Sequence, residues 1–309
     1  MNTLSSPSPS DPSDTPPAPS RALVVGGGGA AGNAWALGLI AGLADGGTDV
    51  TDADTIVGTS SGSTVAAQIT GDATPAELYA AILSAPTPPG GGVPAAHGPG
   101  PRTSGADYLL WSDDVIRSAA DAADMRRRMG EAALARDTTD GEAADRWRAT
   151  VASRLPGREW PIRRVLIPAV DARTGVPVVF DRASGVELVD AVAASTSAMT
   201  PYRIGDARYL NGGYRRNENA DLAAGCDRVL VLSPFSGRSR HPHAWGMDLA
   251  TQLHELRAGG SAVESVFPDE GAGDVFDANA LDPGTRPRAA RGGFEQGRAL
   301  AAQLAAFWR

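Results

Sequence analysis

Two glycine-framed loops, one of them holding a serine, carry the chemistry of this sequence. Gly58-Thr59-Ser60-Ser61-Gly62 is a G-x-S-x-G run at the end of a short apolar strand. Small flanking residues let a tight strand-to-helix turn project the central hydroxyl at a helix N-terminus, where positive dipole ends favour negative charge. Ser60 fits the central position, whereas Ser61 would need glycines where Thr59 and Ser63 stand. Gly27-Gly28-Gly29-Ala30-Ala31-Gly32 matches G-x-G-x-x-G between a strand and a helix, which raises a dinucleotide site. That site wants an acidic residue at the C-terminal end of the second strand, but Asp49, Asp52 and Asp54 all precede it. Nucleophilic chemistry accounts for both loops. If neighbouring parallel strands end together, the amides of Gly27, Gly28 and Gly29 lie beside Ser60 as an oxyanion hole. The missing Cβ atoms then let the backbone approach a tetrahedral intermediate.

A histidine is the usual activator of such a serine, but His97, His241, His243 and His254 lie in polar loops or a charged helix, and none follows a strand. His241-Pro242-His243 lacks the acidic or cysteine companions of a recognisable ligand set, so no metal is expected. Cys226, the single cysteine, has no histidine nearby in sequence and reads as a small buried side chain at a strand edge.

The elements that must position these loops alternate. Apolar strand, glycine loop and helix occur twice in the first 70 residues, as "RALVVGGGGAAGNAWALGLIAGLADGG" and "DADTIVGTSSGSTVAAQITGD", which implies a parallel sheet with right-handed crossovers. Residues 85–105 are low-complexity and read as a lid. Charged helices follow, as "DDVIRSAADAADMRRRMGEAALA" and "EAADRWRATVASRL". Arg126-Arg127-Arg128 within them reads as a solvated helix face, with transient contact to a membrane surface as the alternative. The sheet resumes in two hairpins, one turning at 171–175 and one at Gly205-Asp206. A helix at 218–225, a strand at 227–234, a helix at 246–258, a strand at 261–267 and a C-terminal helix complete the chain.

The 309 residues suit one large α/β domain over 21–309, with an insertion or lid at about 85–160. Residues 1–20 are Pro- and Ser-rich and too poor in apolar groups to order; they have no signal-peptide pattern. Net charge of -8 and a pI near 5.0 argue against a nucleic-acid partner, and all 28 basic residues are arginine. The longest apolar run, Ala34 to Ala44, is about half the ~20 residues of a membrane span. With a single cysteine, the chain reads as soluble and cytoplasmic.

On "GGGGAAG", "GTSSGS" and "NGGYRRNENADLAAG", in that order, residues 21 to 235 resemble the patatin-like phospholipase family. The resemblance implies a three-layer α/β/α fold with a mainly parallel central sheet and a helical insertion. It also implies acyl hydrolysis of lipid or other carboxylic esters by a Ser-Asp dyad, without histidine or cofactor. Ser60 carries over as nucleophile and Gly27 to Gly29 as oxyanion donors, while the dyad aspartate maps onto Asn211. Two departures stand out. Ala31 occupies the family's basic position in the glycine loop, and the neutral amide of Asn211 can orient Ser60 but cannot take its proton. Four origins of Asn211 remain open. It is an engineered exchange that traps an acyl species, the mark of a natural lipid binder without turnover, a sign that Asp171 or Asp221 is the base, or an Asn-Gly site whose deamidation restores aspartate. The family reading makes Asp171 and Asp221 structural.

Overall fold

A computed structural model describes residues 19–85, 105–137, 142–157, 159–272, 275–276 and 279–309. The Pro/Ser-rich head up to residue 18 and most of the low-complexity loop, 86–104, lie outside the described residues.

Strand β1 (Arg21–Val25) forms because its residues are apolar on both faces, and Ala22 to Val25 are fully buried. Leu23 and Val25 face one cluster with helix α1 (Gly29–Asp45) and helix α9 (Arg286–Trp308). Ala22 and Val24 face a second cluster with helix α8 (Leu249–Ala258). A strand whose alternate residues enter opposite helical layers is the centre of an α/β/α sandwich.

Around β1 the sheet is parallel. Strand β2 (Thr55–Gly58) pairs on one side and strand β7 (Arg228–Leu232) on the other; strand β3 (Arg164–Asp171) lies beyond β2, and strand β8 (Ala262–Val266) beyond β7. The C-terminal half of β3 turns antiparallel, pairing with β4 (Pro177–Phe180) and β6 (Ala207–Asn211), and β5 (Tyr202–Ile204) closes that edge on β6. Both expected hairpins are present, β3–β4 and β5–β6, the latter turning at Gly205, whose φ is 57°. A mainly parallel mixed sheet between helical layers is the three-layer fold expected.

Helices α2 (Ser61–Ile69), α3 (Pro75–Ser84) and α7 (Leu188–Thr196) add to the layer built on α1 and α9. α1 and α9 run side by side at backbone contact: a Cβ on Gly42 would lie 2.0 Å from Phe294 O, so both helices carry glycine at the seam. The expected helical insertion is α4 (Gly105–Ser118), α5 (Ala122–Leu134) and α6 (Glu142–Ala152). The run 113–135, read as one helix, breaks at Asp121, whose carboxylate accepts from Asp124 N at 2.7 Å and starts α5 afresh. Among the described residues no helix is long and apolar enough to cross a membrane.

The expected helix at 218–225 is a correction: only a 3-10 turn, Ala220–Ala223, forms there. Asn219 sits in the left-handed region at φ 58° and spends its side-chain amide on Thr59 Oγ1, Gly212 O and Arg216 O. Those tertiary bonds outweigh the helical preference of the run.

Candidate active site

β1 ends with neighbours on both sides, and at its end the backbone separates: Gly26 N donates to Leu232 O of β7, while Thr59 N donates to Val25 O. The chain reaches β2 from one side of β1 and β7 from the other, so the crevice beyond these strand ends is a topological switch point, where open α/β sheets bind ligands. Both glycine loops open into it.

Ser60 stands at the tip of the β2–α2 turn with φ 53° and ψ -124°, a left-handed conformation strained for a residue with a Cβ. Three hydrogen bonds impose it: Ser60 N donates to Ser195 Oγ at 3.0 Å, and Ser60 O accepts from Ser63 N at 2.9 Å and Ser63 Oγ at 2.6 Å. Ser63 and Ser195 are fully buried. Gly62 lets the turn pack against β1, since a Cβ there would lie 2.1 Å from Val25 O.

The glycine loop lies directly alongside. A Cβ on Gly27 would fall 3.1 Å from Ser60 Cβ and 3.7 Å from its Oγ. Gly28 is the exception among the three glycines, because its amide already donates to Ser61 Oγ at 2.9 Å. Among the described residues no acceptor engages the amides of Gly27 or Gly29.

Asn211 ends β6 beside Ser60, the placement the resemblance implied. Its own N–H donates to Ser197 O at 2.6 Å, so the end of α7 anchors Asn211 through Ser197 and Ser60 through Ser195. The side chain bridges: Oδ1 accepts from Gly213 N at 2.9 Å, and Nδ2 donates to Ser60 Oγ at 2.9 Å. A backbone N–H can only donate, so the amide oxygen must face Gly213 and the NH2 must face the serine. Ser60 Oγ therefore accepts a hydrogen bond at the point where a base would receive one.

Both alternative carboxylates are engaged away from Ser60. Asp171 Oδ1 caps the β3–β4 turn, accepting from Arg173 N, Thr174 N and Thr174 Oγ1. Asp221 is gripped by both terminal nitrogens of Arg215. His241 is held neutral, since burial, and then the Arg240 charge, push its pKa down to about 4. The arginine run is tied to its own protein: Arg127 and Arg128 pair with Asp124 at 2.9 and 2.8 Å, and Arg126 donates to Gly175 O.

One residue escaped sequence reasoning. Glu218 is buried beneath the loops; its main-chain O accepts from Thr59 Oγ1, and its Oε1 accepts from Ser233 Oγ at 2.8 Å. Oε2 has no partner among the described residues, and burial pushes the carboxyl up from 4.5 to about 7. No motif marks it; its neighbours in space come from the ends of β1, β2 and β7.

The sequence model of the family described as patatin-like phospholipase matches residues 23–224. No curated protein matches the chain. Among solved structures, VipD from Legionella pneumophila aligns at a TM-score of 0.44 and 13% identity, covering 93% of this chain and 67% of that one. The type III effector protein ExoU aligns at a TM-score of 0.36 and 17% identity, covering 92% of this chain and 54% of its own.

Proposed function

The chain belongs to the patatin-like phospholipase family, and from that premise we propose a lipid acyl hydrolase in which Ser60 is the nucleophile and Asn211 limits turnover. Family membership supports lipid hydrolysis in general terms; the residue roles follow the family pattern, and the contact between Asn211 and Ser60 supports them. Ser60 Oγ attacks the ester carbonyl as its proton passes to water, and forms a tetrahedral oxyanion, which the amides of Gly27 and Gly29 stabilise, with Gly28 joining once Ser61 Oγ is displaced. Collapse expels the alkoxide, which water protonates to the alcohol, and leaves an acyl-Ser60 ester for water to cleave. A carboxylate at 211 would take the serine proton and return it to the leaving alkoxide, whereas the amide can do neither, so both transfers fall to water and turnover is slow. The substrate is a carboxylic ester of a lipid, met transiently at a membrane surface, with the insertion near 105–157 shaping the acyl side. No metal or other cofactor is required, and we place the reaction in the cytoplasm.

The observation that carries this reading is a strained, over-determined serine at a helix N-terminus, with the Asn211 side chain at 2.9 Å. A second reading, a lipid binder on the same scaffold without turnover, is favoured by the donor facing Ser60. A fluorophosphonate probe separates them: slow labelling that disappears in Ser60→Ala is expected of the hydrolase. No labelling of the parent chain, with lipid binding retained, would establish the binder.

A further inference from the structure

One hydroxyl of the crevice stands where a substrate oxygen belongs. Ser61 is the first residue of α2, and its Oγ accepts from Gly28 N at 2.9 Å. Gly28 is the middle glycine of the loop, and it is buried, while Gly27 and Gly29 on either side remain partly exposed. Among the described residues nothing accepts from the Ser61 hydroxyl in turn, so the Gly28 amide alone holds its rotamer.

Of the two partners in that bond, only one can move cheaply. The loop is backed from behind: Gly32 N donates to Gly28 O at 2.8 Å, and a Cβ on Gly28 would lie 2.5 Å from Pro234 Cβ and 2.8 Å from Gly32 Cα. The main chain around Ser61 is equally fixed, since Gly62 N donates to Thr59 O at 2.8 Å and Ser63 N to Ser60 O at 2.9 Å. What remains free is the single side-chain torsion of Ser61, a partly exposed residue, which can turn from one staggered well to another. Release of the Gly28 amide is therefore a side-chain rotation and not a loop movement.

A buried amide left without an acceptor is costly, so Gly28 leaves Ser61 only for another oxygen. A neutral ester carbonyl accepts no better than the hydroxyl does, whereas hydrogen bonds to an ionised oxygen are roughly twice as strong. The geometry points to Ser61 as an internal competitor for the oxyanion hole: its hydroxyl occupies the Gly28 amide in the resting chain and yields it to the charged oxygen of a tetrahedral intermediate or of a carboxylate product. Ser61 is thereby a positioning residue that withholds one donor from the ground state and releases it as negative charge develops. The part played in turnover rests on the hydrolase reading, while competition with a bound carboxylate stands without it.

Ser61→Ala and Ser61→Cys both remove the competitor, the second keeping the side chain's shape with a weakly accepting sulfur. Fluorophosphonate labelling of the full chain should become about two- to tenfold faster in each, the worth of one neutral hydrogen bond. The gain should lie in KI with kinact little changed, because the neutral probe oxygen then reaches Gly28 N before attack. A merely structural Ser61 would slow labelling when replaced, and slower or unchanged labelling in both variants would overturn the proposal. Calorimetric titration with octanoate needs no nucleophile: its carboxylate should bind about two- to tenfold tighter to both variants than to the parent chain. Equal or weaker binding, or none to any chain, would overturn the proposal. Absence of labelling in every chain, with octanoate binding still tightened in the variants, would remove the hydrolase reading and leave the competition standing. If thermal melting shows that Ser61→Ala fails to fold, the cysteine variant decides.

Discussion

Asn211→Asp exchanges one NH2 group for an oxygen in a position whose every contact is already set. The main-chain N–H stays on Ser197 O, Oδ1 keeps the Gly213 N–H at 2.9 Å, and the new oxygen takes the Nδ2 position, 2.9 Å from Ser60 Oγ. A hydrogen-bond donor against the nucleophile thus becomes an acceptor with no change in shape. Restoring a general base is worth roughly 10²–10⁴ in rate, or about 2.7–5.4 kcal/mol of barrier. The gain should appear in kcat and in kcat/KM together, because the proton moves only on the way to the transition state. A carboxylate accepting two hydrogen bonds favours its charged form, so the gain should hold at neutral pH and fall in acid as it protonates. The assay is hydrolysis of short- and long-chain acyl esters by both chains, with thermal melting to show that both are folded. An aspartate variant no faster than the parent on any ester would refute the assignment of Ser60 and Asn211 as a dyad.

Three further outcomes are expected. Ser195→Ala leaves the Ser60 N–H without its acceptor at a buried site; urea denaturation should show a loss of about 1–3 kcal/mol and fluorophosphonate labelling should slow, whereas no change in either would mean that the strained turn holds itself. Glu218 keeps its proton to about 7 when folded and loses it near 4.5 when unfolded, so its contribution is fully present below pH 4.5 and is lost as pH rises through about 7. That loss is about 3 kcal/mol, and Glu218→Gln should lack it; equal pH slopes in denaturation of the two chains would acquit the residue. Deamidation of Asn211 requires Gly212 N to reach the side-chain carbon, yet both ends of that side chain are tethered and a Cβ on Gly212 would fall 2.2 Å from Pro168 O. Peptide mass spectrometry across 208–216 should find no mass gain in aged folded protein and a gain in aged unfolded protein.

What was legible in the sequence is what a few consecutive residues decide. An apolar run, a glycine loop and a helical segment locate β1, α1, β2 and α2, with α1 buried on all faces from Ala31 to Leu43, and G-x-S-x-G places Ser60 at a strand-to-helix turn because the constraint lies within five residues. The hairpin before Asn211 is equally local, resting on Gly205 at positive φ. The 218–225 segment misled because its helical preference is local, whereas the bonds of Asn219 that override it reach Thr59, far away in sequence. Ser195 and Glu218 were invisible for the same reason: they act on the Ser60 turn across 135 and 159 positions, and no pattern of neighbours marks a serine or glutamate for that task.

Asn211 combines both cases, and its structure narrows the meaning of the substitution. Ser60 is strained, its amide donates to Ser195, and the side chain of Asn211 bridges Gly213 and Ser60. Strain of this kind persists only where surrounding contacts over-determine it. On the proposed reading the barrier to turnover lies in the fate of one proton and not in the placement of any group, so a change at position 211 alone should be sufficient to move it.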